Sequence, residues 1–253
     1  MFPQSEGIES QDNRYSLPEM LLELKNERAT SYFSKEILDF FKRLEKNNNR
    51  DWFNDHKPEF KTLEAQAKEA YKHISDSLNR HDILDGFKLF RIYRDVRFSK
   101  NKLPYKIHFG GSFKRKKPEL RGGYYVHIHP GNQSFIAAGF WDPNKDDLLR
   151  VRREFEQDDT EIRAIIYNDK FKGVWGDFVG DELKTAPRNF DKEHPAIDLI
   201  RKKQFIFSKK YSDKEVTSDT FITDVNASFK VIRPFFDYMS DVLTTNLNGE
   251  SLI

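Results

Sequence analysis

Apolar positions recur at helical spacing toward both ends of the chain and at strand spacing in its middle. Ser34 is a good N-cap, and Lys35–Lys46 follows with Ile37, Phe40, Phe41 and Leu44 at the i, i+3, i+4, i+7 spacing of a buried stripe. Asn47, Asn48 and Asn49 interrupt it, Arg50–Phe53 opens a short helical turn, and Pro58 begins a longer helix ending by 79–82. Phe60, Leu63, Ala67, Ala70, Tyr71, Ile74 and Leu78 mark the inner face of that helix. From Phe87 to Trp141 short β-rich runs alternate with Gly and Pro breaks, predicting strands at Leu89–Phe98, Ile107–Lys114, Gly123–His129 and Ser134–Trp141. The short spacers favour an antiparallel meander. Helices are expected over Asp146–Gln157, Thr160–Asn168, His194–Lys202 and Ser218–Asn246, the last interrupted at Pro234, with short strands at Phe171–Phe178 and Gln204–Ser208. Residues 1–31 read as a partly flexible N-terminal arm with a short helix over Leu17–Arg28. Residues 32–253 read as a single α+β domain, an antiparallel sheet flanked by helices from both ends.

Composition narrows the chemistry. The 253 residues contain no Cys, which excludes a disulfide, a thiolate nucleophile or a Cys-ligated metal. Twenty-three Phe are too many for a disordered chain. No apolar run has the length of a membrane span, and residues 1–16 lack a basic head followed by an apolar stretch, so the expected setting is cytoplasmic and away from membranes. No GxxxxGK[ST], GxGxxG, GxSxG or HExxH motif occurs, which leaves nucleotide-loop, dinucleotide, hydrolase-elbow and zincin chemistries unsupported.

Net charge is only +2, yet Lys88–Lys117 holds eleven basic residues and one acid, leaving −8 on the rest of the chain. Lys114-Arg115-Lys116-Lys117 reads as a solvated hairpin tip. The stretch 91–106 is less ordinary. Read as a strand, it places Arg91, Tyr93, Asp95 and Arg97 on one face and Arg94 among Phe90, Ile92, Val96 and Phe98 on the other. An arginine among apolar residues needs a carboxylate or a bound anion.

These residues also carry a resemblance. Arg91-x-x-Arg94-Asp95-x-Arg97-Phe98, followed by Asn101, Lys102 and Tyr105, resembles the motif of domain-of-unknown-function family 2461, with the second half one residue shorter here. Asn47-Asn48-Asn49-Arg50-Asp51-Trp52-Phe53, Gly123–Ile128 and Thr185–Pro195 are similar to further family elements, and the resemblance runs from Phe33 to the C-terminus. It implies a mostly bacterial group of conserved hypothetical proteins and brings no activity with it.

The leading functional expectation is a pocket for a phosphate- or carboxylate-bearing ligand, built from Arg91, Arg94, Asp95, Arg97, Lys100, Lys102, Tyr105, Lys106 and His127. Arginine forks suit such anions, and Asp95 or a histidine is the candidate proton carrier, with no catalytic residue or cofactor assigned. His127-x-His129 faces one side of a strand. A metal there would need further ligands such as His108, Asp142 or Glu154, and plain sheet surface or ligand contact is the simpler reading. Arg188 and His194 are weaker pocket candidates. Two alternatives remain: nucleic-acid binding through the 88–117 segment, and an interaction protein in which Asp39, Glu45, Asp51 and Asp55 neutralise the basic cluster.

Overall fold

A computed structural model describes residues 32–253; the helix expected over 17–28 and the arm to residue 31 lie outside the described residues. Three helices come first: α1 (Lys35–Lys46), α2 (Arg50–Asp55) and α3 (Lys57–Leu78). Four strands follow, β1 (Leu84–Leu89), β2 (Phe109–Arg115), β3 (Gly123–Ile128) and β4 (Ser134–Phe140). Helices α4 (Lys145–Gln157), α5 (Thr160–Ile166), α6 (Asp169–Trp175) and α7 (Ile197–Ile200) precede β5 (Phe205–Tyr211). The chain closes with α8 (Asp213–Val216), α9 (Phe221–Val231) and α10 (Arg233–Thr244). The sheet has sequential order β1-β2-β3-β4-β5 with every pair antiparallel, so the α+β meander expected from the periodicity is what forms.

Alternation fixes which face is core. Tyr124, Val126 and Ile128 of β3, Ile136, Ala138 and Phe140 of β4, and Phe205, Phe207 and Tyr211 of β5 are buried, joined by Phe109 and Phe113 of β2. The stripe of α3 lies against this face, and the Tyr71 hydroxyl donates to the Val126 carbonyl at 2.9 Å. Phe229 of α9 and Phe236 of α10 reach Tyr124 with ring centroids 4.7 and 4.9 Å away. Pro234 stands in the first turn of α10, which separates α9 from α10 at Ile232.

Four local expectations are corrected. The strand expected over Leu89–Phe98 is β1 at Leu84–Leu89, displaced toward the N-terminus; 90–108 is an excursion between β1 and β2. Phe171–Phe178 contains helix α6, because Phe171, Val174 and Trp175 share one helical face, and Gly176 at φ 65° ends it. The helix expected from His194 to Lys202 is only the single turn α7.

The fourth correction is the largest. Arg115 is not part of a solvated tip but has 1% exposure. Its parity on β2 matches Phe109 and Phe113, which turns it to the core. There its Nε donates to Asp82 Oδ2 at 2.7 Å, and Nη1 donates to the carbonyls of Arg121 and Phe236 and to Ser240 Oγ at 3.0–3.2 Å. Arg233 pairs with the other Asp82 oxygen at 2.8 Å, and the Tyr124 hydroxyl also donates to Asp82. A buried ion pair is tolerable only when satisfied in this way. The network ties the end of α3, β2, β3 and α10 together.

Candidate functional site

Hydrogen-bond register places side chains on the other face of the sheet. One row runs Lys88, Ser112, Tyr125, Ala137, Ser208 across β1 to β5; beside it run Gly110, His127, Phe135, Lys210, and Lys114, Gly123, Gly139, Ile206. These rows alternate small residues with aromatic or polar ones. The result is a cavity of about 970 Å3 whose floor is Ser112, Gly123, Ala137 and Gly139 and whose walls are Phe90, Tyr125, His127, Phe135, Trp141, Lys114 and Arg121. Arg121 pairs with Asp147 at one rim. Gly139 permits the floor: its φ is 138°, and a Cβ there would lie 2.1 Å from the Phe205 carbonyl.

Imidazoles gather at the opposite end. The His108 ring centroid is 4.1 Å from His127 and 6.1 Å from His129, and His127 stacks on Phe135 at 4.6 Å. The Tyr125 hydroxyl lies 3.0 Å from His127 Nδ1. Gly110 makes that possible, since a Cβ there would sit 2.5 Å from the same hydroxyl. His129 Nδ1 donates to the Pro130 carbonyl at 2.7 Å. Burial, then the charges of His129, Lys106 and Arg94, pushes His108 down to about 4. Burial, then His108 and His129, pushes His127 down to about 3. Both rings are therefore neutral at neutral pH and offer one donor and one acceptor each. Burial raises the Tyr125 phenol. Chemically, Tyr125 and His127 form a hydrogen-bonded pair, and an anion entering there would raise the basicity of both histidines. Among the described residues no group of three or more His, Asp or Glu is placed to hold a metal ion.

The motif residues of 91–106 mostly stand outside this cavity. Chain segments 90–94 and 104–108 run side by side as a thin arm: Tyr93 bridges Tyr105, Arg94 N–H donates to the Pro104 carbonyl and Lys106 N–H to the Ile92 carbonyl. Ile92 and Tyr105 are the buried root. Tyr105 stacks on Phe53 at 4.0 Å, and the Asn48 amide both donates to and accepts from its backbone, at 3.0 and 3.1 Å. Asn49 caps α2 through Trp52 N–H, so the Asn-rich element and the arm are one packed unit. Replacing Asn48 with Ala removes both bonds and should lower unfolding free energy by about 1–3 kcal/mol, read from a urea midpoint; an unchanged midpoint would show that the clamp contributes nothing.

Beyond its root the arm is exposed. Asp95 accepts from Arg97 at 2.7 and 3.0 Å, and these bonds hold its carboxyl below the usual range. Lys102 Nζ donates to the Val96 carbonyl and Lys106 Nζ to the Arg91 carbonyl, both at 2.9 Å. Arg91 and Lys100 are exposed and Arg94 is half-buried. Among the described residues no carboxylate lies within 4.0 Å of Arg91, Arg94, Lys100, Lys102 or Lys106. Asp39 pairs with Lys42 instead. Of the expected site residues, His127 lines the cavity, and Lys106 and Arg94 act on it through His108. Phe90, Tyr125 and Phe135 were not anticipated in this role. Their equal parity with His127, or their position beside it across the sheet, was the available signal. Among the described residues no helix is long and apolar enough to cross a membrane.

No curated protein and no solved structure matches the chain. One family model, described as conserved hypothetical protein (DUF2461), matches residues 36–238, and the chain belongs to that family.

Proposed function

We propose that the chain binds a small ligand with an apolar or aromatic body and a phosphate or carboxylate group, held against the second face of its sheet. The observation that carries this reading is the cavity of about 970 Å3, floored by small residues and walled by Phe90, Tyr125 and Phe135, with Lys114, Lys117 and Arg121 in its lining and His127, beside the His108 that feels Lys106 and Arg94, at its other end. Sites of this size with an apolar lining and a few convergent polar groups are the usual form of small-molecule pockets. The body stacks among the rings. The anion meets Lys106, His127 and the Tyr125 hydroxyl, where hydrogen bonds to a charged group are strongest.

A thermal-shift series tests it with phenyl phosphate, benzoate, adenosine monophosphate and inorganic phosphate as probes. A probe that binds only the folded chain raises the melting temperature, by about 2.7 kcal/mol of added stability at a hundred times its Kd. Ala137→Phe fills the floor without removing a charge, and Lys106→Met removes a cation without filling space. Stabilisation by phenyl phosphate beyond inorganic phosphate, abolished by the first variant and weakened by the second, is the expected result. Equal shifts in wild type and both variants, or no shift with any probe, would sink the reading; calorimetric titration of Lys106→Met decides if Ala137→Phe does not fold.

A further inference from the structure

We propose that the arm formed by residues 90–106 is a docking element for single-stranded nucleic acid, its tip at Arg97–Lys102 lying outside the cavity whose lining the arm joins only at Phe90. Three observations meet there. Six cations, Arg91, Arg94, Arg97, Lys100, Lys102 and Lys106, stand on it against the single acid Asp95, which Arg97 already neutralises. Two aromatic rings are interleaved with those cations: Phe98 is bare at 96% exposure, and Tyr93, packed on one side against Phe53 and Tyr105, keeps 46%. The arm is also prepared rather than loose, because Ile92 and Tyr105 anchor its root in the core and Lys102 and Lys106 are tied to its own carbonyls.

A fully exposed phenylalanine gains from any partner that covers its face. Unpaired bases offer such faces next to phosphates that the flanking cations can pair, and stacking is tolerant of sequence. The Arg97 guanidinium sits 5.9 Å from the Phe98 ring, so a cation and a stackable ring stand side by side on the arm. A duplex keeps its base faces hidden. A lipid surface asks for a continuous apolar face to insert, whereas here charged residues surround each ring. The burial of Arg115 removes one cation from the remoter 114–117 run, which concentrates accessible charge on the arm.

The test is fluorescence anisotropy of labelled oligothymidylate and oligouridylate with the full chain at low and high salt. Expected are binding at low salt, a fall in affinity with a log–log salt slope near −0.7 per engaged cation, and a flatter slope by about that amount in Lys100→Ala. Phe98→Ala should weaken binding roughly five- to a hundredfold, and Phe98→Trp should restore it. Because the ring is exposed, both variants keep the wild-type melting temperature, and Ala137→Phe leaves oligonucleotide affinity intact even though it fills the cavity. The proposal is overturned if Phe98→Ala binds as well as wild type, if a duplex of equal length competes equally, or if anionic vesicles bind while oligonucleotides do not.

Discussion

Replacing Asp82 with Ala should cost about 3–5 kcal/mol of unfolding free energy, because it removes the buried carboxylate that compensates the fully buried guanidinium of Arg115. The cost is not the worth of one ion pair. Arg115 loses its one fully buried charge partner and keeps only the longer pair to the exposed Asp237 at 3.3 Å, Arg233 loses one of its two carboxylates, and the Tyr124 hydroxyl loses its acceptor. Asp82→Asn should lose less, since the amide oxygen still accepts one of these bonds. Replacing Asp82 and Arg115 together by apolar residues of similar volume should recover much of the loss, because the desolvation penalty leaves with the charges. Urea midpoints of the three variants measure this. A double variant as unstable as Asp82→Ala would mean that the network stabilises through its geometry rather than merely avoiding an uncompensated charge.

Acid should destabilise the chain well above the range in which carboxylates protonate. In the unfolded chain His108 and His127 take protons near their ordinary value of 6.5; in the folded chain they hold out to about 4 and about 3. The unfolded state therefore binds more protons in that window. Stability is complete above pH 6.5 and falls as pH drops through 6.5, levelling only below the folded values, with a slope of at most about 1.4 kcal/mol per pH unit for each ring. Asp95, held low by Arg97, adds its own loss only near and below its ordinary value of 3.8. Denaturation followed between neutrality and pH 4.5 thus separates imidazoles from carboxylates. The variant His108→Gln with His127→Gln should flatten the curve in that window. A wild-type curve already flat there would show that the two rings are not held neutral by the fold. A bound anion should act in the opposite sense, drawing protons onto the rings and binding more tightly as pH falls.

Much of the architecture was legible from spacing. Gly and Pro breaks around Gly123–Ile128 and Ser134–Phe140 bounded β3 and β4 to within a residue, and the α1 and α3 stripes were direct readings of period. The misreadings have particular causes. In Phe171–Phe178 aromatic content suggested a strand while the spacing of Phe171, Val174, Trp175 and Phe178 was helical throughout. In 90–106 alternation looked strand-like, but Asn48 and Phe53, distant in sequence, decide where Tyr105 sits, and no local pattern reports that. Arg115 was hidden in a basic run although its parity with Phe113 pointed inward. The cavity was least legible. Its floor is Ser112, Ala137 and two glycines that in sequence look like turn residues, and only the register across β2, β3 and β4 puts them side by side.

The sheet order also sets a sequence of closure costs. Between β2 and β3 only residues 116–122 intervene, and between β3 and β4 only 129–133, whereas β4 waits for a partner through residues 141–204. Loop-closure entropy grows with the span to be closed, so the β4–β5 rung is the dearest pairing in the sheet and a slow one to make from an extended chain. Until it forms, β4 presents a bare edge carrying Ile136, Ala138 and Phe140, and an unpaired edge of that kind invites other strands. Helices α4 to α7 are the tether that shortens this search, which gives them a kinetic part to play in a region that contributes one rim to the cavity and none of its floor.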